Sequence, residues 1–272
     1  MRFTDPDTIR AATHLWQGER DGSGRPLVAD DILERMKLVT TEQAWQVIAR
    51  GHGYWENFEG GWKSLHPEHV MVGRALTCRY VPLRPDLEAA VDRQGATEGR
   101  FGAKKNSWVI DELVDGDVVV VDLFGKVRDG VFAGDNLSTA IKKSGGRGMV
   151  VDGGLRDTPG VRRIPDFGVF VRDLVPTGFA AVSMVEINGV TRIGRATCLP
   201  GDVVHASETG VLFIPPHLAR EVVESAERER LRDVFGKQRI AEGVYTPGEV
   251  DADTWSDEME GDWARWLENR QS

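Results

Sequence analysis

A series of short β-rich runs that end in glycine or aspartate turns constrains the fold most. The runs cover residues 72–81, 116–124, 148–153, 168–175, 192–207 and 210–216. Several are apolar at successive positions, so both faces of those strands must be covered. Helical periodicity interrupts the runs at about 136–143 and 216–240. The pattern predicts an α/β fold with a mixed central sheet, in which strands outnumber helices.

Residues 1–69 are predicted to form an N-terminal helical and aromatic-loop extension to a catalytic core over 70–240. Apolar positions at three-to-four spacing within 28–50 predict two short helices, with Thr40 or Thr41 as a cap. The stretch that follows is rich in glycine and should be an ordered loop, because its aromatic side chains are costly to leave in water. These side chains are Tyr54, Trp55, Phe58 and Trp62.

Residues 241–272 form an acidic tail. The chain has 34 Lys and Arg against 43 Asp and Glu, a formal charge of −9. Eight of those acids lie within 245–272, where the basic residues are Arg265 and Arg270. The balance argues against nucleic-acid binding, while the nearly neutral body leaves room for a small anionic substrate. Because the tail also holds Trp255, Trp263 and Trp266, we expect a short helix that docks on its own or a neighbouring subunit.

The chain has neither a long apolar run nor an apolar signal-peptide core, so we expect a cytoplasmic protein that does not bind membranes. Cys78 and Cys198 lie in apolar, strand-like surroundings without metal-ligand spacing. We interpret both as reduced and structural.

The stretch from Gly134 to Asp157 is the strongest candidate for a functional site. A glycine-containing turn precedes the helix, and such a turn exposes backbone N–H groups to a carboxylate or phosphate. The alternative is that Asp135 or Asn136 only caps the helix. A crossover of this length returns the chain to the same edge of the sheet, so the two ends of the stretch should lie close together.

The residue types at these ends suit one kind of chemistry. Arg156 offers a planar fork for a carboxylate or an enolate oxygen. Asp157 is a hard oxygen ligand for Mg²⁺ or Mn²⁺, with water and substrate completing the octahedron. Asp135 is placed to handle a proton, directly or through water. The alternative for Arg156-Asp157 is a surface ion pair or a turn.

An acid after a glycine-containing turn, twenty intervening residues and an Arg-Asp pair resembles the signature of the RraA-like family. That family includes the class II pyruvate aldolases that cleave 4-hydroxy-4-methyl-2-oxoglutarate. Here the pattern is Asp135, twenty residues and Arg156-Asp157, and the resemblance extends from about residue 72 to residue 230. It implies a swivelling β/β/α-type fold and a homotrimer or dimer of trimers with active sites between subunits.

The resemblance also implies roles for single residues. Arg156 would bind the pyruvyl group and stabilise its enolate, Asp157 would bind Mg²⁺ (or Mn²⁺), and Asp135 would act on a water or a proton. The backbone of Phe132, Ala133 and Gly134 would hold the substrate carboxylate.

A glutamate from the C-terminal helix of a neighbouring subunit would complete the site, with Glu227 or Glu229 as candidates. Many relatives carry an acid three residues after the Arg-Asp pair, whereas this chain has Gly160 there. The difference affects the surroundings of the metal.

Two further polar clusters stand out. In the stretch from Lys104 to Trp108, Asn106 and Ser107 would hydrogen-bond substrate hydroxyls and Trp108 would form an apolar wall. The alternative is a solvated loop anchored by Trp108.

The sequence HPEH at 66–69 lacks the helical spacing of a zinc protease, so its histidines are interpreted as loop residues.

The function expected from these residues and from the resemblance is that of a divalent-metal-dependent lyase, of the aldolase or decarboxylase type, acting on a small α-keto acid or sugar-acid derivative. The alternatives are a dehydratase or hydratase on the same site, a non-catalytic regulator that binds ribonuclease E, and a structural trimer that has lost activity.

Overall fold

The computed structural model describes residues 3–100, 102, 105–252 and 254–271. The α-helices are α1 (Pro6–Ala12), α2 (Asp30–Met36), α3 (Thr41–Trp45), α4 (Pro85–Thr97), α5 (Asn106–Ile110), α6 (Asp135–Lys143), α7 (Thr158–Val161), α8 (Ala219–Ala241), α9 (Pro247–Val250) and α10 (Asp257–Gln271). A π-helical segment (Gln46–Gly51) follows α3, and a 3-10 turn (Pro216–Leu218) precedes α8. In the part of the chain that the structure describes, every helix is too short or too polar to cross a bilayer.

The strands are β1 (Phe58–Glu59), β2 (Lys63–Ser64), β3 (Met71–Pro82), β4 (Asp117–Val131), β5 (Gly148–Leu155), β6 (Gly168–Leu174), β7 (Val182–Ile187), β8 (Thr191–Ile193), β9 (Ala196–Cys198), β10 (Val203–Ser207) and β11 (Gly210–Ile214). The main sheet has the order β1-β11-β10-β3-β4-β5-β6-β2, and β7 also pairs with β3. Neighbours from β3 to β6 are parallel and the outer pairs are antiparallel. The predicted α/β class with a mixed central sheet and helices at both ends is therefore confirmed.

Both faces of the central strands are buried, as their uniform apolarity predicts. Alternate side chains supply two different cores, because successive residues of a strand point to opposite faces. One core includes Leu76, Cys78, Val119, Val121 and Val151. The other includes Ala75, Val118, Val120, Val150 and Phe170. Cys78 and Cys198 are free and buried, and burial raises the pKa of both thiols, so they are inert structural residues as expected.

The N-terminal extension is fixed to the sheet by a buried ionic cluster. Arg25 donates from Nη2 to Asp117 Oδ2 at 2.8 Å and from Nε to Asp21 Oδ2 at 2.9 Å. Arg74 Nε lies 3.7 Å from Asp117 Oδ1. The Arg25 and Asp117 side chains are 2% and 0% exposed. The start of β4 is therefore tied to a segment that lies about ninety residues earlier in the chain.

The two short helices predicted within 28–50 are α2 and α3. Thr40 caps α3: its hydroxyl accepts from the Gln43 N–H, and the Gln43 side chain accepts from the Thr40 N–H. The predicted ordered loop is in part regular structure, since β1 pairs with β11 and β2 with β6.

Helices α4 and α5 are absent from the pattern predicted from the sequence, which has only two helices among the strands. In α4 only Val91 and Gly95 are buried. Trp108 of α5 packs so closely over Gly95 that a Cβ there would overlap its ring. The two helices are thus held by contact with each other and the core, which a weakly periodic sequence does not reveal.

Contacts divide the chain into two compact units, Met1–Val222 and Val223–Ser272, so most of α8 belongs with the tail. The second unit has an aromatic core of its own. Phe235 of α8 is fully buried among Trp255, Trp263 and Trp266, with ring centroids 5.4–5.7 Å away. Arg239 also donates to both carboxylate oxygens of Asp262 at 2.7 and 2.9 Å. The predicted C-terminal helix is α10, and it docks within its own chain.

Candidate active site

The candidate active site lies where two neighbouring parallel strands end. β4 ends at Val131 and β5 ends at Leu155, and the two strands are paired in the sheet. Helix α6 connects them, so its N-terminus and the Arg156-Asp157 pair after β5 lie at the same edge. The crossover brings the two ends of the motif together, as the sequence predicts.

The backbone at Gly134 lies directly against the Asp157 carboxylate. A Cβ atom at Gly134 would overlap Asp157 Oδ2 and would lie 3.2 Å from Arg156 Nε. The φ of Gly134 is −107°, which other residues also adopt, so the need for glycine is steric. The Arg156 and Asp157 side chains can approach this turn because Gly134 carries no side chain.

Arg156 and Asp157 form a half-exposed ion pair. Arg156 Nε lies 3.2 Å from Asp157 Oδ2, and the two side chains are 40% and 45% exposed. The Nε atom is buried and has no hydrogen-bond partner among the described residues. Asp157 has a left-handed φ of 56°, a conformation that aspartate tolerates better than most residues. The predicted alternative of an ion pair is present, and its exposure leaves both groups accessible to a small ligand.

Asp135 is the first residue of α6 and is half-buried. The N-cap is Gly134, so the alternative that Asp135 or Asn136 is the cap is wrong. Asp135 Oδ1 instead accepts from the Asn136 N–H at 2.8 Å. The carboxylate therefore lies at the positive end of the α6 dipole.

Gly160 lies under the Asp135 side chain. A Cβ at Gly160 would be 2.6 Å from Asp135 Cβ and 2.7 Å from Asp135 Oδ2, so a larger residue at 160 would require Asp135 to move. In this chain the Asp135 side chain thus occupies the space that a side chain at position 160 would need.

The turn before α6 is held by Asn106. Its Nδ2 donates to the Phe132 carbonyl at 2.7 Å, and Asn106 is 2% exposed. The Phe132 and Ala133 side chains are buried, so only the backbone of this turn is available to a ligand. Phe132 packs in edge contact with Phe179, whose loop also contains Gly178 close to Arg156 Nη1. This positioning role of Asn106 is missed by reasoning from the sequence, because it depends on the packing of α5 beneath the turn.

The prediction that Trp108 forms a substrate wall is wrong. Trp108 is 3% exposed and packs against Phe3, with ring centroids 5.6 Å apart. The alternative of a packing anchor applies, although the segment is a helix rather than a solvated loop. Lys105 forms ion pairs with Glu88 and Asp92 of α4.

Ser107 is half-buried, and its contact with a substrate hydroxyl remains a prediction; burial of Asn106 and its bond to Phe132 favour positioning over direct substrate contact. Lys104 lies outside the described residues. Glu227 lies half-buried on α8 in the second compact unit and Glu229 is exposed there. A role for either in the site of a neighbouring subunit also remains a prediction.

Asp157 is the side chain of this corner that could hold a metal ion. Within the described part of the chain it belongs to no cluster of three histidine, cysteine or acidic ligands. Mg²⁺ is commonly bound by one or two carboxylates and otherwise by water and substrate oxygens, so a single accessible carboxylate fits this ion. The donor set does not suit Zn²⁺, which takes three or four protein ligands.

Comparisons with known proteins agree with the motif. The model of the RraA-like family, described as Aldolase/RraA, matches residues 48–213. A putative 4-hydroxy-4-methyl-2-oxoglutarate aldolase of Halalkalibacterium halodurans is 28% identical over 133 residues, which cover 49% of this chain and 62% of that protein. The 4-hydroxy-4-methyl-2-oxoglutarate aldolase of Thermus thermophilus is 31% identical over 107 residues, which cover 39% of this chain and 64% of that protein. The chain thus spans less than two thirds of the length of these curated relatives.

A solved structure shares the fold. RraAS2 of Streptomyces coelicolor, described as an unusual member of the RNase ES inhibitor RraA protein family, aligns with a TM-score of 0.66 at 24% identity. The alignment covers 78% of this chain and all of that one. Because the family model also matches more than half of the sequence, the chain belongs to the RraA-like family.

Proposed function

We propose that this protein is a divalent-metal-dependent carbon–carbon lyase of the aldolase or decarboxylase type. Its substrate would be a small α-keto acid or a sugar-acid derivative. The observation that carries the proposal is the convergence of Gly134, Arg156 and Asp157 beside the carboxylate of Asp135. The names of the two aldolase relatives support the same reaction class.

Cleavage of a bond next to a keto group leaves negative charge on the keto oxygen. Arg156 is suited to that oxygen, because its guanidinium is always charged and donates in a fixed plane. Its half exposure beside the turn at Gly134 allows a ligand to approach. Donors already held at the place where charge develops lower the barrier without reorganisation during the reaction.

Asp157 and water molecules would hold Mg²⁺ or Mn²⁺ in this corner. When bound, the ion supplies Lewis-acid polarisation of a substrate oxygen. The ion pair with Arg156 keeps the Asp157 carboxylate directed to the same side of the turn. The Arg156 guanidinium and the metal ion would then both contact the same keto acid.

Asp135 is the group proposed to move a proton. Its Oδ1 is occupied by the Asn136 N–H, which leaves Oδ2, on the side of Gly160, to contact a water or a substrate hydroxyl. A carboxylate is a competent general base when it lies within hydrogen-bond reach of its proton. The backbone N–H groups of the turn over 132–134 would hold the substrate carboxylate.

The proposal includes a homotrimer or a dimer of trimers, in which Glu227 of a neighbouring subunit completes each site. A regulator that binds ribonuclease E is the second candidate. Its support is the fold shared with RraAS2 of Streptomyces coelicolor.

Oxaloacetate decarboxylation tests the proposed site, because that reaction requires only the pyruvate enolate. Pyruvate release should exceed the free-metal background in Mg²⁺ and fall to background in chelator. Arg156→Ala should lower the enzymatic rate by about 100-fold or more, the effect of removing a donor to a developing oxyanion. The matched control is Arg162→Ala, which lies at the exposed end of α7.

Equal rates in Arg156→Ala and Arg162→Ala would rule out the assigned role of Arg156. Release at background from folded wild-type protein would contradict the lyase proposal. Capture of ribonuclease E, undiminished by Asp157→Ala, would then favour the regulator, whereas dehydration of sugar acids would favour a dehydratase on the same site.

A further inference from the structure

The turn over residues 66–69 holds two histidines and a glutamate side by side. The His69 N–H donates to the His66 carbonyl at 3.1 Å, which closes a four-residue turn with Pro67 in its second position. Proline fixes the backbone φ at this position and thereby pre-organises the turn. The His66 N–H also donates to Ser64 Oγ at 3.2 Å, which ties the turn to the end of β2.

The turn brings three potential ligand atoms to one point. His66 Nδ1 lies 3.5 Å and His69 Nε2 lies 3.8 Å from the same oxygen, Glu68 Oε1. All three ligand atoms lie within 4.8 Å of one another, and the two imidazole rings are stacked with centroids 5.7 Å apart. Tetrahedral zinc, with bonds of about 2.0–2.1 Å to nitrogen and oxygen, requires ligand atoms about 3.3 Å apart. Small rotations of exposed side chains would close that difference.

The three side chains of the turn differ in how far they are exposed. His69 and Glu68 are 62% and 61% exposed and free to adjust, whereas His66 is 22% exposed. His66 Nε2 is buried and has no hydrogen-bond partner among the described residues. The ring is therefore held by packing, and its Nδ1 faces Glu68.

The site opens into a cavity of about 540 Å³ that Glu68 and His69 line. Lys37, Lys142, Arg147 and Asp166 also line this cavity. Lys37 and Arg147 are each paired with Glu34, so charges of both signs surround the entrance. Three protein ligands leave a fourth coordination position for water or an anion. The cavity provides the space for that fourth ligand.

The turn lies at the opposite edge of the sheet from the candidate active site. It precedes β3, whose first residue Met71 packs against Gly148 and Gly168 at the beginnings of β5 and β6. Arg156 and Asp157 follow the other end of β5. The two places also differ in chemistry, since one offers a single hard carboxylate and the other two imidazoles and a carboxylate.

We propose that His66, Glu68 and His69 form a second metal site, which binds a transition-metal ion of the Zn²⁺ class with one open coordination position. Two imidazoles with one carboxylate are a donor set that zinc uses where it keeps an exchangeable ligand. Imidazole also selects for zinc and its neighbours over magnesium. The site is independent of the proposed lyase activity.

The test is Zn²⁺ titration of the full chain in competition with a chromophoric chelator, in excess Mg²⁺. Wild-type protein should bind one equivalent that Mg²⁺ does not displace. His69→Gln and His66→Gln should each weaken binding by more than about tenfold, since loss of a ligand exceeds the effect of losing an outer partner. His69 is largely exposed, so its substitution should leave the far-ultraviolet circular dichroism unchanged.

The matched control is His52→Gln. His52 Nε2 lies 3.0 Å from Glu221 Oε1, which gives a histidine–glutamate pair that is not part of a three-ligand cluster among the described residues. Zinc affinity should be unchanged in His52→Gln and in Asp157→Ala. Co²⁺ in place of zinc should give the intense visible absorption of a four-coordinate ion in wild type and in both controls. Absence of stoichiometric binding by wild type, or full binding by both His66→Gln and His69→Gln, would overturn the proposal.

Discussion

The region around the start of β4 and the corner beyond its end both contain arginine and aspartate, but in opposite environments. At the start, Arg25 and Asp117 are 2% and 0% exposed and lie 2.8 Å apart. At the other end, Arg156 and Asp157 are 40% and 45% exposed and lie 3.2 Å apart. Residue type alone therefore does not separate a structural ion pair from a ligand site. Burial and the number of additional partners separate them.

The buried and the exposed ion pair differ in how many additional partners the protein gives them. Two carboxylates, those of Asp117 and Asp21, raise the pKa of Arg25 even though burial opposes it. Asp117 Oδ2 also accepts from the Val114 N–H at 2.9 Å. Most of the polar atoms of the buried pair are thus bound within the protein, although Asp117 Oδ1 has only the Arg74 guanidinium 3.7 Å away. The exposed pair keeps more of its hydrogen-bonding capacity for a ligand.

Removal of the Asp117 carboxylate should cause the largest loss in the free energy of unfolding. Asp117→Ala leaves the buried Arg25 charge without its closest partner, and breaking a buried pair in this way costs about 3–5 kcal/mol. Urea unfolding should register the loss. Asp157→Asn serves as the control, because asparagine tolerates the left-handed backbone of this position and exposed pairs contribute at most about 1 kcal/mol. Equal losses in the free energy of unfolding of the two variants would contradict this distinction between the buried and the exposed pair.

Asp202 extends the comparison to a buried carboxylate whose pKa is not lowered by a nearby cation. Burial raises the pKa of Asp202 from 3.8 to about 7, opposed only by the hydrogen bond from the Leu199 N–H. A raised folded-state pKa stabilises the fold below pH 4, and that contribution is lost as the pH rises towards 7. The loss is on the order of 4 kcal/mol.

Asp202→Asn keeps an acceptor for Leu199 and removes the ionisation. The free energy of unfolding of this variant should therefore depend less on pH between 4 and 8, and at pH 8 it should exceed that of the wild type. Denaturant unfolding across this range measures the difference. Parallel pH profiles for the two proteins would contradict the assignment.

Gly134→Ala should separate activity from stability at the exposed corner. The new methyl group would overlap Asp157 Oδ2, so the Arg156-Asp157 pair must move. A displacement of this kind lowers the rate by about 100-fold, while the exposed pair contributes little to folding. Oxaloacetate decarboxylation and thermal unfolding measure the two effects. Gly22→Ala is the control, since a Cβ at Gly22 meets nothing within 4 Å.

Much of this architecture follows from the sequence. The uniform apolarity of β4 and β5 predicts a sheet buried on both faces, and the crossover through α6 predicts that Asp135 and Arg156 meet at one edge. Both inferences rest on local pattern and chain geometry. Neither requires knowledge of distant contacts.

The parts that the sequence does not predict depend on such contacts. Helix α4 has little apolar periodicity and is recognised only through the packing of Trp108 on Gly95. Asn106 gives the same lesson, since its polar side chain suits a ligand equally well until its bond to the Phe132 carbonyl is known. Likewise, the close contact between Gly160 and the Asp135 side chain is visible only in the folded chain.

The aromatic core of the second unit affects how the chain behaves during synthesis. Among the described residues, the rings that pack on Phe235 all lie later in the chain, from Tyr245 to Trp266. While the ribosome extends the chain, Phe235 therefore remains uncovered after its own helix has been made. Transiently exposed apolar surface of this kind promotes aggregation and recruits chaperones. A translational pause or premature stop between residues 236 and 255 should leave nascent chains more prone to both than a pause after Trp266.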